Sequence, residues 1–390
     1  MSSSKSPLFP IFLTVFVDVL GLTLVLPLLP FYGEHFGATP FVVGTLQASY
    51  AACQLVAGPV LGRISDRYGR KPTLLVSQMG TFAGFLVLGA AGSLWMLFLG
   101  HMIDGLTAGN LTVAQAYISD VTKPEQRTRA FGFIGIAFGT GFLVGPLLSG
   151  VLAHRFGYSA PAFGAAALSA ISIFVTAVLL PSVPPRAEPA SVPGGGRGEL
   201  GSFLSRPGPR RRLLVFFAYT LSFSTLMGTG LALFLERRFG YNVEKVGYVY
   251  GFSGLVGALI QGGLIGRLVK KLGEERLSLY GFIALGLGAG LLGVTYGLPL
   301  LALVIALSGF GLSVTRPALT TLITKSVGKH EQGAALGTSQ SFTSISQMVG
   351  PMLAGWLIEQ RQLAAYGLAS ATFALIGVLL SVQREPLAVA

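Results

Sequence analysis

The sequence predicts an all-α polytopic membrane protein: twelve transmembrane helices in two pseudo-symmetric six-helix bundles. Three observations predict it. Apolar residues make up 52% of the chain and charged ones 11%, with a mean hydropathy of +0.70, whereas a soluble domain carries about 25% charged residues. The apolar residues gather into runs of spanning length separated by short basic loops. Finally, several segments recur about 205 residues apart.

The runs lie at about 8–32, 41–61, 73–92, 94–119, 130–153, 159–181, 212–235, 243–266, 276–296, 299–323, 333–358 and 363–383. Each is long enough to cross about 30 Å of hydrocarbon at 1.5 Å per residue. Within lipid the backbone must satisfy its own hydrogen bonds, so runs of this length form helices. The first run contains Asp18 and no small-residue cleavage site precedes it, so it reads as a first span and not as a removable signal. Placing both termini in the cytoplasm puts about 21 of the 27 basic residues on that side, as the positive-inside rule requires. The net charge of +12 does not point to nucleic acid, because lysine and arginine sit in clusters between apolar runs. Cys53 is the single cysteine, and His35, His101, His154 and His330 are scattered. No metal site and no cofactor are expected from them.

The widest polar gap, residues 182–211, is rich in Pro, Gly and Arg and reads as a flexible cytoplasmic linker. It separates an N-terminal bundle, 1–181, from a C-terminal bundle, 212–390. Within the gap, "ELGSFLSR" reads as a piece lying on the membrane surface. The halves repeat one another. "GRISDRYGRK" at 62–71 matches "GRLVKKLGEE" at 266–275, "VGPLLSG" at 144–150 matches "VGPMLAG" at 349–355, and "KPEQRTRAFG" at 123–132 matches "KHEQGAALG" at 329–337. Two bundles from a duplicated unit, facing each other across a central cavity, are implied.

The most specific motif is "GRISDRYGRKP", with Gly62, Asp66, Arg67, Gly69, Arg70 and Lys71. Its glycines suit a tight turn between helices, and its basic residues suit the inner leaflet. Asp66 is either a counter-charge in that anchor or part of a charge latch, with Asp120 as a partner for Arg70. The motif resembles the loop 2–3 signature of the major facilitator superfamily. "DVLGLTLVLPLLP", "AYISDVTKPEQRTRAFG", "GFLVGPLLSG" and "LIQGGLIGRLVKKLGEER" are similar to segments of the tetracycline/proton antiporters and their drug-efflux relatives. The resemblance runs through nearly the whole chain. It implies a monomer that exports amphiphilic compounds by alternating access as protons flow inward. In "GFLVGPLLSG", Gly141, Gly145 and Pro146 read physically as close helix packing with a kink. The chain departs from the family at two points. His101 stands where a helix-4 arginine is usual, and Gly84 and Leu285 stand where tetracycline transporters carry intramembrane aspartates. Tetracycline itself is therefore not the expected substrate.

Asp18, Asp104 and Arg316 fall inside apolar runs. Facing lipid, they would cost roughly 8–10 kcal/mol together, so they must face water or one another. In the implied fold helices 1, 4, 7 and 10 line the cavity, and these residues lie on helices 1, 4 and 10. Asp18 and Arg316 come roughly 13 and 10 Å in from the cytoplasmic side, which allows an ion pair across the cavity. His101 and Asp104, spaced i, i+3, share a helix face and would make a hydrogen-bonded proton acceptor. Two readings stay open for Asp18: titration or pairing in a transport path, or capping a broken helix near Gly21 or Pro27. His101 is either a proton carrier or a structural histidine. Gln54, Asn110, Gln115 and Gln261 serve inter-helix bonds or substrate contacts. Phe16, Tyr50, Tyr219, Phe223 and Met227 form an adaptable wall for an apolar ligand, or simply pack.

These readings give protons and a small molecule as partners, lipid as the surroundings, and the cell membrane as the location. The alternative function is a facilitator or proton symporter for a lipid, sugar or metabolite. No phosphate-cradling loop and no Ser–His–Asp spacing appear, so no enzyme is expected.

Overall fold

The computed structural model describes residues 8–122, 124–182, 201, 203–328 and 331–382. Most of the expected linker, 183–200, and Lys123 lie outside the described residues, as do the side chains of 124–133. The described residues are helical, and their helices group into twelve spans. We name them α1 (Leu8–Val25, then Leu29–His35), α2 (Pro40–Tyr68), α3 (Arg70–Gly89), α4 (Leu94–Leu106, then Asn110–Val121), α5 (Pro124–Phe156) and α6 (Ser159–Leu179). In the second half come α7 (Pro207–Met227, then Thr229–Phe239) and α8 (Val243–Leu259 with a π turn at Ile260–Leu264). The run Ile265–Leu291 divides at Gly273, whose φ is +74°, so its first part completes α8 and its second part is α9. Last are α10 (Leu298–Lys325), α11 (Gln332–Glu359) and α12 (Leu363–Val382).

Length and apolarity alone mark eight crossing helices, or nine with the bent α1 pair. The α8–α9 run counts as one because helical hydrogen bonding continues on both sides of the kink at Gly273. Helix α4 is missed because it is split at 107–109, and α11 because serine, threonine and glutamine interrupt it. Helices α1 and α7 both break about two-thirds of the way along, at 26–28 and at Gly228. The α1 break bends the chain by 41°.

The chain forms two compact units. The first holds residues up to Ala38, Ser49 through α6, and Tyr241–Gly254; the second holds Thr39–Ala48, the whole of α7, and Leu255 onward. The first turns of α2 therefore belong to the second unit, and those of α8 to the first. Inside the first unit α1 packs on α5 and α6, and α3 on α4 and α6; inside the second, α7 packs on α11 and α12, and α9 on α10 and α12. The duplicated sequence thus yields duplicated packing. Gly141 and Gly145 give α1 its approach to α5: a Cβ at Gly141 would strike Val19, and one at Gly145 would strike Thr23. The Thr23 hydroxyl donates to the Gly141 carbonyl at 3.0 Å. Pro146 sits inside α5.

Each unit carries a charged clasp at the turn between its second and third helices. In the first, Gly69 (φ +98°) makes the turn. Arg70 Nη1 meets Asp66 Oδ1 at 2.6 Å and donates to Ser65 Oγ at 2.7 Å, while its Nε donates to Asp120 Oδ2 at 2.8 Å. Lys71 Nζ donates to the Ala177 carbonyl at 2.8 Å, a cation on the carbonyl end of α6. Arg67 is exposed, with its guanidinium 5.4 Å from the Tyr68 ring centroid. Gly62 has open space around it. In the second unit, Gly273 makes the turn, Lys325 Nζ meets Glu274 Oε1 at 2.6 Å, and Arg212 meets Glu275 at 2.5 Å. Arg211 caps α12 through the Leu380 and Ser381 carbonyls at 2.8 and 2.6 Å.

The end of "ELGSFLSR" packs against the protein. Phe203 is buried, and Arg206 forks onto Glu331 with nitrogen–oxygen distances of 3.1 and 2.9 Å. The Gly328 N–H also donates to Glu331 at 3.1 Å. The arginine, and next this amide, hold the Glu331 carboxyl below its ordinary value. A depressed carboxyl contributes stability above its unfolded pKa and loses it as pH falls through the folded one. Thermal melting of wild type and Glu331→Gln should therefore differ at neutral pH, with wild type the more stable, and converge below about pH 4. Parallel curves across the range would contradict this pairing.

Candidate functional site

The candidate site of the first unit begins at Asp18, half-buried on α1. Its Oδ1 accepts the Ser172 hydroxyl of α6 at 2.9 Å. Ser172 Oγ accepts Gln78 Nε2 of α3 at 2.7 Å, and the same nitrogen reaches Thr176 Oγ1 at 3.0 Å. Thr176 Oγ1 lies 3.1 Å from Thr14 Oγ1. Asp18 therefore does not cap the break near Pro27, where Leu26 and Leu28 donate to the backbone carbonyls of Leu22 and Val25. Its side chain anchors a buried polar row across α1, α6 and α3.

Helix α4 brings His101 and Asp104, both buried. They share a face but do not bond to each other among the described residues. Asp104 accepts the Thr81 hydroxyl of α3. The His101 ring packs 5.6 Å from the Tyr50 ring, and its Nδ1 has no hydrogen-bond partner. Gln54 Nε2 donates to the Tyr50 hydroxyl at 3.2 Å. Asp18 and Asp104 lie close enough for their charges to interact, and both act on Tyr50. A Cβ at Gly84 would sit 3.0 Å from the Asp104 Cβ, so α4 carries its carboxylate directly over that bare patch of α3. Just beyond, α4 breaks at 107–109. Ser77 fills the gap, donating to the Thr107 carbonyl and accepting the Gly109 N–H at 3.1 Å. Asn110 opens the next segment, and its Oδ1 is buried without a partner.

The structure thus brings Asp18, Tyr50, Gln54, His101 and Asp104 together. It also adds Gln78, Thr81 and Ser172, which sequence reasoning missed. A signal was present: Ser169, Ser172 and Thr176, and Ser77, Gln78 and Thr81, recur at helical spacing within apolar runs. Gln115 is exposed away from this set. No lysine or arginine occurs in 8–62, 72–122 or 134–154. The carboxylates therefore have no lysine or arginine beside them in these spans.

In the second unit, Tyr219 is buried and donates to the Leu312 carbonyl at 3.2 Å, with Phe223 stacked 6.4 Å away. Met227 is buried beside the α7 break. Gln261 is exposed on the π turn of α8. Arg316 is exposed on α10, next to Pro317, and its charge reaches Tyr219. Leu285 is fully buried. Among the described residues no group of three His, Cys, Asp or Glu side chains is placed to hold a metal ion.

Comparison with known proteins agrees with this architecture. The family model of the Major Facilitator Superfamily matches residues 11–278 and 262–389. The chain is 32% identical over 346 residues to the class B tetracycline resistance protein of Escherichia coli, covering 86% of this chain and 84% of that one. It is 29% identical over 370 residues to multidrug resistance protein 1 of Bacillus subtilis (strain 168), covering 94% and 93%. Among solved structures, the human organic anion transporter MFSD10 (TETRAN) superposes with a TM-score of 0.77 at 23% identity, over 98% of this chain and 100% of that one. That likeness speaks for the fold alone. Span pattern, repeated packing, loop motif and family match converge, and the chain belongs to the Major Facilitator Superfamily as a multi-pass membrane transporter.

Proposed function

We propose that the protein is a proton-coupled exporter of amphiphilic small molecules, working as a monomer in the cell membrane with both termini cytoplasmic. One observation carries this reading: two interacting carboxylates, Asp18 and Asp104, lie within spans that hold no lysine or arginine. A charge at mid-bilayer costs roughly 2.5–3.5 kcal/mol, so a mobile species must neutralise the pair. A proton does so, and so does a cationic group on a bound compound. Competition between the two for one pair of carboxylates links drug release to proton entry. Tyr50 and His101 offer aromatic faces beside the acids, which suits an amphiphilic ligand. The relatives named for tetracycline and multidrug resistance support export. The bare Gly84 and the buried Leu285 support a substrate outside the tetracyclines.

Purified protein in liposomes tests the proposal. An imposed pH gradient should drive a fluorescent lipophilic cation to accumulate, and a protonophore should abolish that accumulation. Equilibration without accumulation at every gradient would instead identify a facilitator and overturn proton coupling.

A further inference from the structure

Asp18 does not bond to a lone serine. The charge of Asp18 sets the direction of every hydrogen in the row behind that serine. A carboxylate accepts only, so Ser172 must donate its single hydrogen across the 2.9 Å contact to Oδ1. Ser172 then has none left for Gln78 and must accept there. The atom facing it at 2.7 Å is Nε2, an obligate donor. The second Nε2 hydrogen goes to Thr176 Oγ1 at 3.0 Å, and Gln78 Oε1 is left buried with no partner. Gln78, Ser172 and Thr176 are themselves buried. Turning the Gln78 amide over reverses the row. Ser172 would then donate to Oε1 and accept from a protonated Asp18, so the same three groups serve either charge state.

We propose that Gln78 and Ser172 are positioning residues for Asp18, a reversible hydrogen-bond relay that sets how readily this carboxyl takes up and gives up its proton. The inference rests on Asp18 being a proton site of the function proposed above. Other groups able to influence Asp18 are few. Asp104 from α4 and Tyr50 from α2 interact with it, and His101 packs on Tyr50. Helix α6 has no charged residue from Ser159 to Leu179, α5 has none from 134 to 153, and α3 has none from 72 to 89. The relay is therefore the direct hydrogen-bond control on Asp18. Hydrogen bonds to a charged acceptor are roughly twice as strong as those between neutral groups, so losing the donor penalises the carboxylate more than the acid.

Infrared titration of the purified protein reads this without requiring transport. Asp18→Asn identifies the carboxylic C=O component that belongs to Asp18. In Ser172→Ala the midpoint of that component should move alkaline by about one pH unit, while Ser172→Thr, which keeps a hydroxyl, should stay near wild type. Gln78→Leu, which removes the nitrogen behind Ser172, should move it the same way by about half as much. If Ser172→Ala does not fold, Gln78→Leu carries the test. Titrations that superimpose on wild type, or the lack of any Asp18-dependent component, overturn the relay. If the variants show these shifts while the wild-type protein fails to accumulate substrate under a pH gradient, the exporter reading falls and the relay stands.

Discussion

Arg70→Ala should destabilise the protein by about 3–5 kcal/mol, the range for removing one partner of a buried ion pair. The guanidinium side chain is 8% exposed, and the Asp66 and Asp120 side chains are 9% and 12% exposed. Solvent therefore screens these contacts little. One fork ties three points together: Asp66 and Ser65 at the end of α2, and Asp120 at the end of α4. Truncation leaves two carboxylates near each other without their shared cation, and each pays for lost hydration with nothing in return. Lysine is a single point donor and cannot span Nε and Nη1 geometry, so Arg70→Lys should recover only part of the loss. The triple change Asp66→Asn, Arg70→Ala, Asp120→Asn should recover more than Arg70→Ala alone, because no charge is then stranded. Thermal melting in lipid nanodiscs checks the series. An Arg70→Ala protein melting with wild type would show that the clasp carries no stability.

Asp104→Asn should reduce proton-driven accumulation by about sixtyfold to three-hundredfold while sparing energy-independent substrate exchange. The size follows from the roughly 2.5–3.5 kcal/mol that separates a charged from a neutral group at mid-membrane, with about 1.4 kcal/mol per factor of ten. Asparagine keeps the shape and the bond from Thr81, so packing against Gly84 survives. What it lacks is a proton to gain or lose. Asp18→Asn should act in the same direction. Paired liposome assays, one with a pH gradient and one with equal pH and substrate on both sides, separate coupling from folding. Equal loss in both would assign Asp104 to structure instead.

Much of the fold is legible in the sequence because lipid allows few solutions. A run such as 159–181 can only be a helix, and it is one over Ser159–Leu179. Gly69 and Gly273 are legible as turns because the surrounding motif repeats. The breaks are harder to read. The split of α4 at 107–109 depends on Ser77 arriving from α3 to bond both open ends, and no local propensity encodes that. The candidate site shows the same division. Asp18, His101 and Asp104 stand out as ionisable groups in apolar runs. Their actual partners, Ser172, Gln78 and Thr81, are small or neutral residues whose role exists only once α1, α3, α4 and α6 pack. The expected His101–Asp104 bond fails for a related reason: a shared helical face is necessary, but Thr81 of α3 bonds Asp104 and the His101 ring lies against Tyr50 of α2.

The two charged clasps have opposite polarity. Arginine meets aspartate at the α2–α3 turn, whereas about 205 residues later glutamate meets lysine. Duplication has preserved a relationship rather than the residues that express it. A self-alignment that rewards like with like scores these positions as mismatches, though they are the same joint built with its signs exchanged. Ancient doubling in such chains is better sought by asking which positions complement one another than which ones agree.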